Sequence, residues 1–130
     1  MNRRHVIGAL LVSAALTWGA VALAAEQTPF SLKAFEAAQA AGKPILIDVF
    51  APWCPTCKAQ APILARLAND PRFKSMVRFK VDFDSQKDVL RRFNVRQQST
   101  LIVFKGKQET GRSTGDTNAA SIEALLAKTL

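Results

Sequence analysis

Cysteine is scarce in this chain. Two cysteines in 130 residues, Cys54 and Cys57, can close only one bridge across three positions, which excludes a miniature scaffold stapled by several disulfides. The only histidine, His5, belongs to the leading segment. No stretch is dominated by one residue type and no unit repeats, so disordered, collagen-like and solenoid architectures are excluded. The length allows one compact domain and rules out a large multidomain enzyme. Charge is one-sided, with 18 Lys and Arg against 10 Asp and Glu and a net charge of +8. The basic residues are nevertheless scattered from Lys33 to Lys128, without a run or interleaved aromatics. They read as a solvated surface, and no nucleic-acid partner is expected.

Arg3 and Arg4 precede an apolar stretch from Val6 to Ala22, and Ala22-Leu23-Ala24 has the small-x-small pattern cut by a signal peptidase. Spanning a bilayer takes roughly 20 strongly apolar residues. This stretch is shorter and is diluted by Gly8, Ser13, Thr17 and Gly19. Residues 1–24 are therefore expected to be a cleavable export signal, and the absence of cysteine there leaves no site for a lipid anchor. Asn2-Arg3-Arg4-His5-Val6-Ile7 also approaches a twin-arginine signal, but paired arginines occur in ordinary signals and the general secretory route is favoured. The expected destination is the bacterial periplasm.

Residues 25–130 read as one unit. Ser31 can cap a helix through Leu32, Phe35, Ala38 and Ala41 that Gly42 and Pro44 end. Ile45 to Ala51 is a short run rich in branched and aromatic residues, suited to a buried strand and interrupted only by Asp48. After Cys54 a helix is expected through Ala61, Leu64, Leu67 and Ala68, bent at Pro62. Val77 to Phe83 alternates apolar residues with Arg78, Lys80 and Asp82, as in a strand with one face inward. Asp84 or Ser85 can cap a short helix through Val89, Leu90 and Phe93. Leu101 to Phe104 and Glu109 to Thr114 form a hairpin around Lys105-Gly106-Lys107, and Thr117 or Asn118 caps a last helix bearing Ile122, Leu125 and Leu126. This order implies an α/β fold in which a central mixed β-sheet is flanked by helices.

The chemistry points to Trp53-Cys54-Pro55-Thr56-Cys57-Lys58, where a strand hands over to a helix. A sulfur at the start of a helix meets unpaired N–H groups and the positive end of the dipole, which in C-x-x-C pairs lowers the thiol pKa to about 3.5–7.5. Cys54 is the expected nucleophile. Cys57, three residues on, returns to the same face within bridging reach, and Pro55 is pre-shaped for the first helical turn. The pair can thus exchange disulfides without a cofactor: Cys54 attacks a substrate disulfide and Cys57 resolves the mixed disulfide. Asp48, six residues upstream on the buried strand, is the candidate to take the Cys57 proton, and Lys80 on the neighbouring strand the candidate to tune it. Trp53 and Pro55 offer substrates an apolar surface beside the sulfurs.

With Asp48 six residues before the first cysteine, Trp53 immediately before it, Pro62 in the following helix and Lys80-x-x-x-Asp84 at a strand end, the sequence resembles the thioredoxin family over nearly all of residues 25–130. The resemblance implies a thioredoxin fold, a dithiol site and disulfide-containing protein substrates. In that family a cis-proline precedes the third main strand, faces the cysteines and keeps metals off them, and its loop pairs with substrate backbone. Here Gln98-Ser99-Thr100 occupies that loop with Ser99 in the proline's place. A cis bond before serine would cost roughly 2.5–4 kcal/mol, against about 0.5–1 kcal/mol before proline, so the loop is either strained or trans.

Two function classes fit. One is a monomeric periplasmic thiol-disulfide oxidoreductase, working as a reductant fed by a membrane-embedded thiol reductase, or in reverse as a disulfide donor. The other is a metal-binding or delivery module in which Cys54 and Cys57 from two chains complete a four-sulfur site. One chain alone cannot fill a closed tetrahedral site, and no metal is expected in the oxidoreductase.

Overall fold

The computed structural model describes residues 27–130. The expected signal, residues 1–24, and the first residues of the expected domain lie outside the described residues. In chain order the elements are β1 (Thr28–Pro29), α1 (Leu32–Ala40), β2 (Pro44–Phe50), α2 (Pro55–Ala68), a 3-10 turn (Pro71–Phe73), β3 (Val77–Asp82), α3 (Lys87–Arg92), β4 (Thr100–Lys105), β5 (Gln108–Thr114) and α4 (Ala119–Ala127). Their order across the sheet is β1-β3-β2-β4-β5. The first three run parallel, and β4 and β5 antiparallel. This is the α/β thioredoxin fold with a central mixed sheet between helix layers.

The sheet is buried on both faces, which is why β2 is nearly continuous in apolar residues. On one side Phe30, Phe35, Phe79, Phe93 and Phe104 meet edge to face around Ile47 and Ile102. On the other, Leu46 and Val103 pack with Leu64 and Leu67 of α2 and Ile122 and Leu125 of α4. Side chains alternate along a strand, so Asp48 shares the face of Leu46 and points toward α2.

Helix starts follow the sequence closely: Ser31 Oγ accepts from Ala34 N–H, and Asn118 Oδ1 from Ser121 N–H. Two short elements were not anticipated, and three expectations need correcting. β1 and the 3-10 turn carry too few residues for a periodic signal. Helix α3 is capped by neither Asp84 nor Ser85; it starts after Gln86, because both of those N–H groups bond back to Asp82 Oδ1. The buried stripe of α2 is Gln60, Leu64 and Leu67, while Ala61 is exposed. Finally, β3 does not turn a solvated face outward at Arg78, which is only 8% exposed. Because α2 covers that face as well, an alternating pattern overstated its exposure. Pro62 lies within α2 without ending it, depriving one carbonyl of its helical donor.

Candidate active site

Strand β2 ends at Phe50 and the chain turns through Ala51-Pro52-Trp53 into α2, where Cys54 is the N-cap residue. Cys54 N–H donates to Ala51 O at 3.1 Å, closing the turn. Cys54 Sγ in turn accepts from Cys57 N–H at 3.1 Å, taking one of the donors that a helix start leaves unpaired. Pro55 occupies the first helical position, where no N–H is needed. Cys54 and Cys57 are joined in a disulfide with Cα atoms 5.3 Å apart, in the usual span for such a bridge. In this oxidised form Cys54 is almost wholly covered and Cys57 half-buried, while Trp53 and Pro55 stand exposed around them. Trp53 is fixed from the far side, its Nε1–H donating to Asp84 Oδ2 at 2.9 Å.

Below Cys57 lies a cavity of about 350 Å³ lined by Gln27, Asp48, Cys57, Lys58, Arg78 and Lys80. The sequence-based assignment of Asp48 and Lys80 to one locality is thus met: the two are paired in register across β2 and β3, and Lys80 Nζ also sits 3.9 Å above the Phe50 ring. Asp48 is 7% exposed. Burial pushes its carboxyl above the ordinary value, against the opposing pull of a 2.6 Å hydrogen bond from Gln27 Nε2 and of the Lys80 and Arg78 charges. A carboxyl raised in this way beside Cys57 is suited to accept a proton.

Gln27 and Arg78 were not singled out from the sequence. Gln27 is 21 residues from its partner, and no local pattern marks it. Arg78 lies two residues before Lys80 on the same face of β3, so a cation there could have been inferred once α2 was known to cover that face. Its Nε is buried without a hydrogen-bond partner among the described residues, and desolvation lowers its own pKa while Asp48 opposes the shift. Arg78→Met, which keeps the stem but removes the charge, should move the Asp48 titration midpoint further upward, and Arg78→Lys should restore most of it. Carboxyl carbon NMR across the pH range checks this; an unmoved or lowered midpoint in Arg78→Met would refute it.

The loop before β4 resolves the question raised by Ser99. No described peptide bond is cis, and Ser99 instead takes a left-handed backbone with φ +56°, a region that costs a residue with a Cβ about 1–2 kcal/mol. Local bonds offset this. Ser99 Oγ donates to Gln98 O at 2.6 Å and Thr100 Oγ1 to Gln97 O at 2.8 Å. Thr100 faces Val49 across the β2–β4 ladder, which places the loop beside the end of β2 from which the chain runs to Cys54. Among the described residues no group of three or more His, Cys, Asp or Glu could hold a metal ion. Among these residues no further donor converges on the Cys54–Cys57 pair, which weighs against the metal-binding alternative.

Comparison with known proteins agrees with this geometry. The thioredoxin family model matches residues 27–128. A thioredoxin of Echinococcus granulosus is 38% identical over 93 residues, covering 72% of this chain and 84% of that protein. A bifunctional thioredoxin reductase/thioredoxin of Mycobacterium leprae is 36% identical over 80 residues, or 62% of this chain, which spans only 17% of that longer protein. Among solved structures, Trxlp from Edwardsiella tarda superimposes with a TM-score of 0.76 at 44% identity, covering 78% of this chain and 98% of that one.

Proposed function

Because the chain belongs to the thioredoxin family, we propose that its thiol-disulfide oxidoreductase activity is exercised in the bacterial periplasm, as a monomeric reductant of protein disulfides. Residues 1–24 are the export signal in this reading, removed to leave residues 25–130 as the working domain. A membrane-embedded thiol reductase supplies the electrons, and no cofactor takes part.

The observation that carries the reading is the contact of Cys54 Sγ with the open end of α2. In the reduced enzyme the N–H groups there stabilise the Cys54 thiolate. The thiolate attacks one sulfur of a substrate disulfide, forming a mixed disulfide and releasing the other sulfur as a thiolate. Cys57 then gives its proton to Asp48 across the cavity and attacks Cys54 Sγ. The bond to substrate breaks, the second substrate thiolate leaves, and the Cys54–Cys57 bridge closes with two electrons passed on. Asp48 returns its proton to the departing sulfur. Exposed Trp53 and Pro55 supply apolar docking area, and the backbone of Gln98-Ser99-Thr100 pairs with the substrate chain. Lys80 favours the ionised form of Asp48 and so limits how far burial raises its pKa.

The direction of electron flow is tested by equilibrating Cys54/Cys57 with glutathione buffers. A reductant should poise near about −270 mV, as thioredoxin does, and a value near about −120 mV would assign the chain to disulfide donation instead. Mass spectrometry of the protein from an envelope fraction should find a chain beginning at Ala25; an intact Met1 terminus there would refute signal removal.

A further inference from the structure

One buried polar side chain takes no part in the chemistry above. Gln60 lies in α2, one turn beyond Cys57, and is 1% exposed. The position belongs to the stripe that faces the core, where the same helix otherwise places Leu64 and Leu67. A buried carboxamide is costly unless it is hydrogen-bonded. Gln60 meets this on its donor side only: Nε2 donates to Ser99 O at 3.2 Å and to Asp116 O at 2.8 Å, while Oε1 is buried without a partner among the described residues. Ser99 O also accepts from Gly115 N–H at 3.0 Å. One side chain therefore joins three segments, namely the helix that carries the cysteines, the left-handed turn at Ser99, and the connection from β5 to α4. Asp116 anchors that connection in turn, its Oδ1 accepting from Asn118 N–H at 2.9 Å.

We propose that Gln60 is a positioning residue for substrate docking: its carboxamide holds the Ser99 carbonyl, and with it the backbone of residues 97–100, in register with the cysteines. The proposal rests on the reading that this backbone pairs with protein substrates. The physical need is specific to Ser99. A left-handed serine is intrinsically unfavourable, and a proline there would have a ring-fixed φ near −65° and would need no such tie. Gln60 and Ser99 thus act as a pair, in which a polar strut from the active-site helix does for a flexible residue what ring closure does for proline.

The consequence differs between substrates. A protein disulfide lies along the loop and uses its backbone, whereas a small disulfide such as dithiobisnitrobenzoate needs only the cysteines. Gln60→Leu should raise the KM for insulin about tenfold, the scale of a hydrogen bond or two, with kcat nearly unchanged and the rate with dithiobisnitrobenzoate altered less than twofold. In a Ser99→Pro background the turn is rebuilt, the acceptor moves away from Gln60, and the same substitution should change insulin KM less than twofold.

Loss of rate on both substrates alike would show a general effect on the active site and overturn the proposal, as would an undiminished effect in the Ser99→Pro background or no effect at all. Should Gln60→Leu not fold, hydrogen exchange of the Gln60 side-chain amide in the unaltered protein decides: slow exchange supports the strut and free exchange overturns it. If the unaltered protein itself fails to reduce insulin, the functional reading fails first. If it reduces insulin and Gln60→Leu matches it, only the present inference does.

Discussion

With Cys54 replaced by serine, insulin reduction falls to the rate of dithiothreitol alone. A serine hydroxyl in the same place would meet the same helix start, but it ionises far too weakly there to attack a disulfide, and the remaining thiol does not take its place: Cys57 lies inside the first turn of α2, and its own N–H is one of the donors aimed at position 54. Cys57→Ser fails differently. The nucleophile and its N–H partner survive, so the first attack proceeds and the enzyme accumulates as a mixed disulfide with its substrate, visible as a band of higher mass on a gel run without reductant. Retention of turnover by Cys54→Ser would remove the basis of the mechanism, and equal trapping by both variants would remove the assignment of attacking and resolving roles.

Asp48→Asn should make the protein more stable and less active at once. The folded state holds the Asp48 proton more tightly than the unfolded chain does, because burial raises its pKa above the ordinary 3.8. Stability therefore falls as pH climbs from the ordinary carboxylate range through the raised midpoint. The stabilisation from Asp48→Asn is absent in acid below that range and fully present above the raised midpoint, where it should reach about 1–3 kcal/mol, the scale of desolvating a buried polar group. The Gln27 hydrogen bond can persist to the asparagine oxygen, so little is lost on that side. Resolution of the mixed disulfide should slow by about 10²-fold, at the lower end of general-base contributions, and its pH dependence in the range where Asp48 titrates should disappear. Denaturant melts at several pH values and single-turnover product release measure the two effects. A variant that is no more stable at high pH and resolves at the normal rate would show that Asp48 is an ordinary satisfied carboxylate.

The parts of the fold legible from sequence are those with local signals. Ser31 and Asn118 cap their helices as their side chains predict, the apolar run of β2 is a buried strand, and the position of Cys54 before Pro55 marks the start of α2. The placement of Asp48, Trp53, Cys54 and Cys57 was legible to the same depth, since their spacing is carried by one strand, one turn and one helix. What escaped is what distant segments decide. Gln27 reaches Asp48 only because β1 adds to the edge of β3. Arg78 is buried because α2 lies over a strand whose alternation suggested a solvated face. Gln60 reads as a polar interruption between Cys57 and Leu64 until the carbonyls of Ser99 and Asp116 are seen above it. At Ser99 the choice between a strained and a trans loop resolved in an unforeseen way: the bond is trans, and the cost moves into φ, offset by bonds to Gln97, Gln98 and Gln60.

The two-residue strand β1 has a consequence for solubility. An unpaired strand flank is a template on which a second chain can add and seed cross-β growth. Here one flank ends in Thr28–Pro29, too short to guide an incoming segment and lacking one of its N–H groups. The opposite flank, β5, carries the Glu109–Arg112 ion pair and lies beside an irregularity in its ladder at Val103/Phe104. Both borders are thus poor nuclei for fibrils, so concentrated solutions of the folded protein should stay free of thioflavin-binding aggregates.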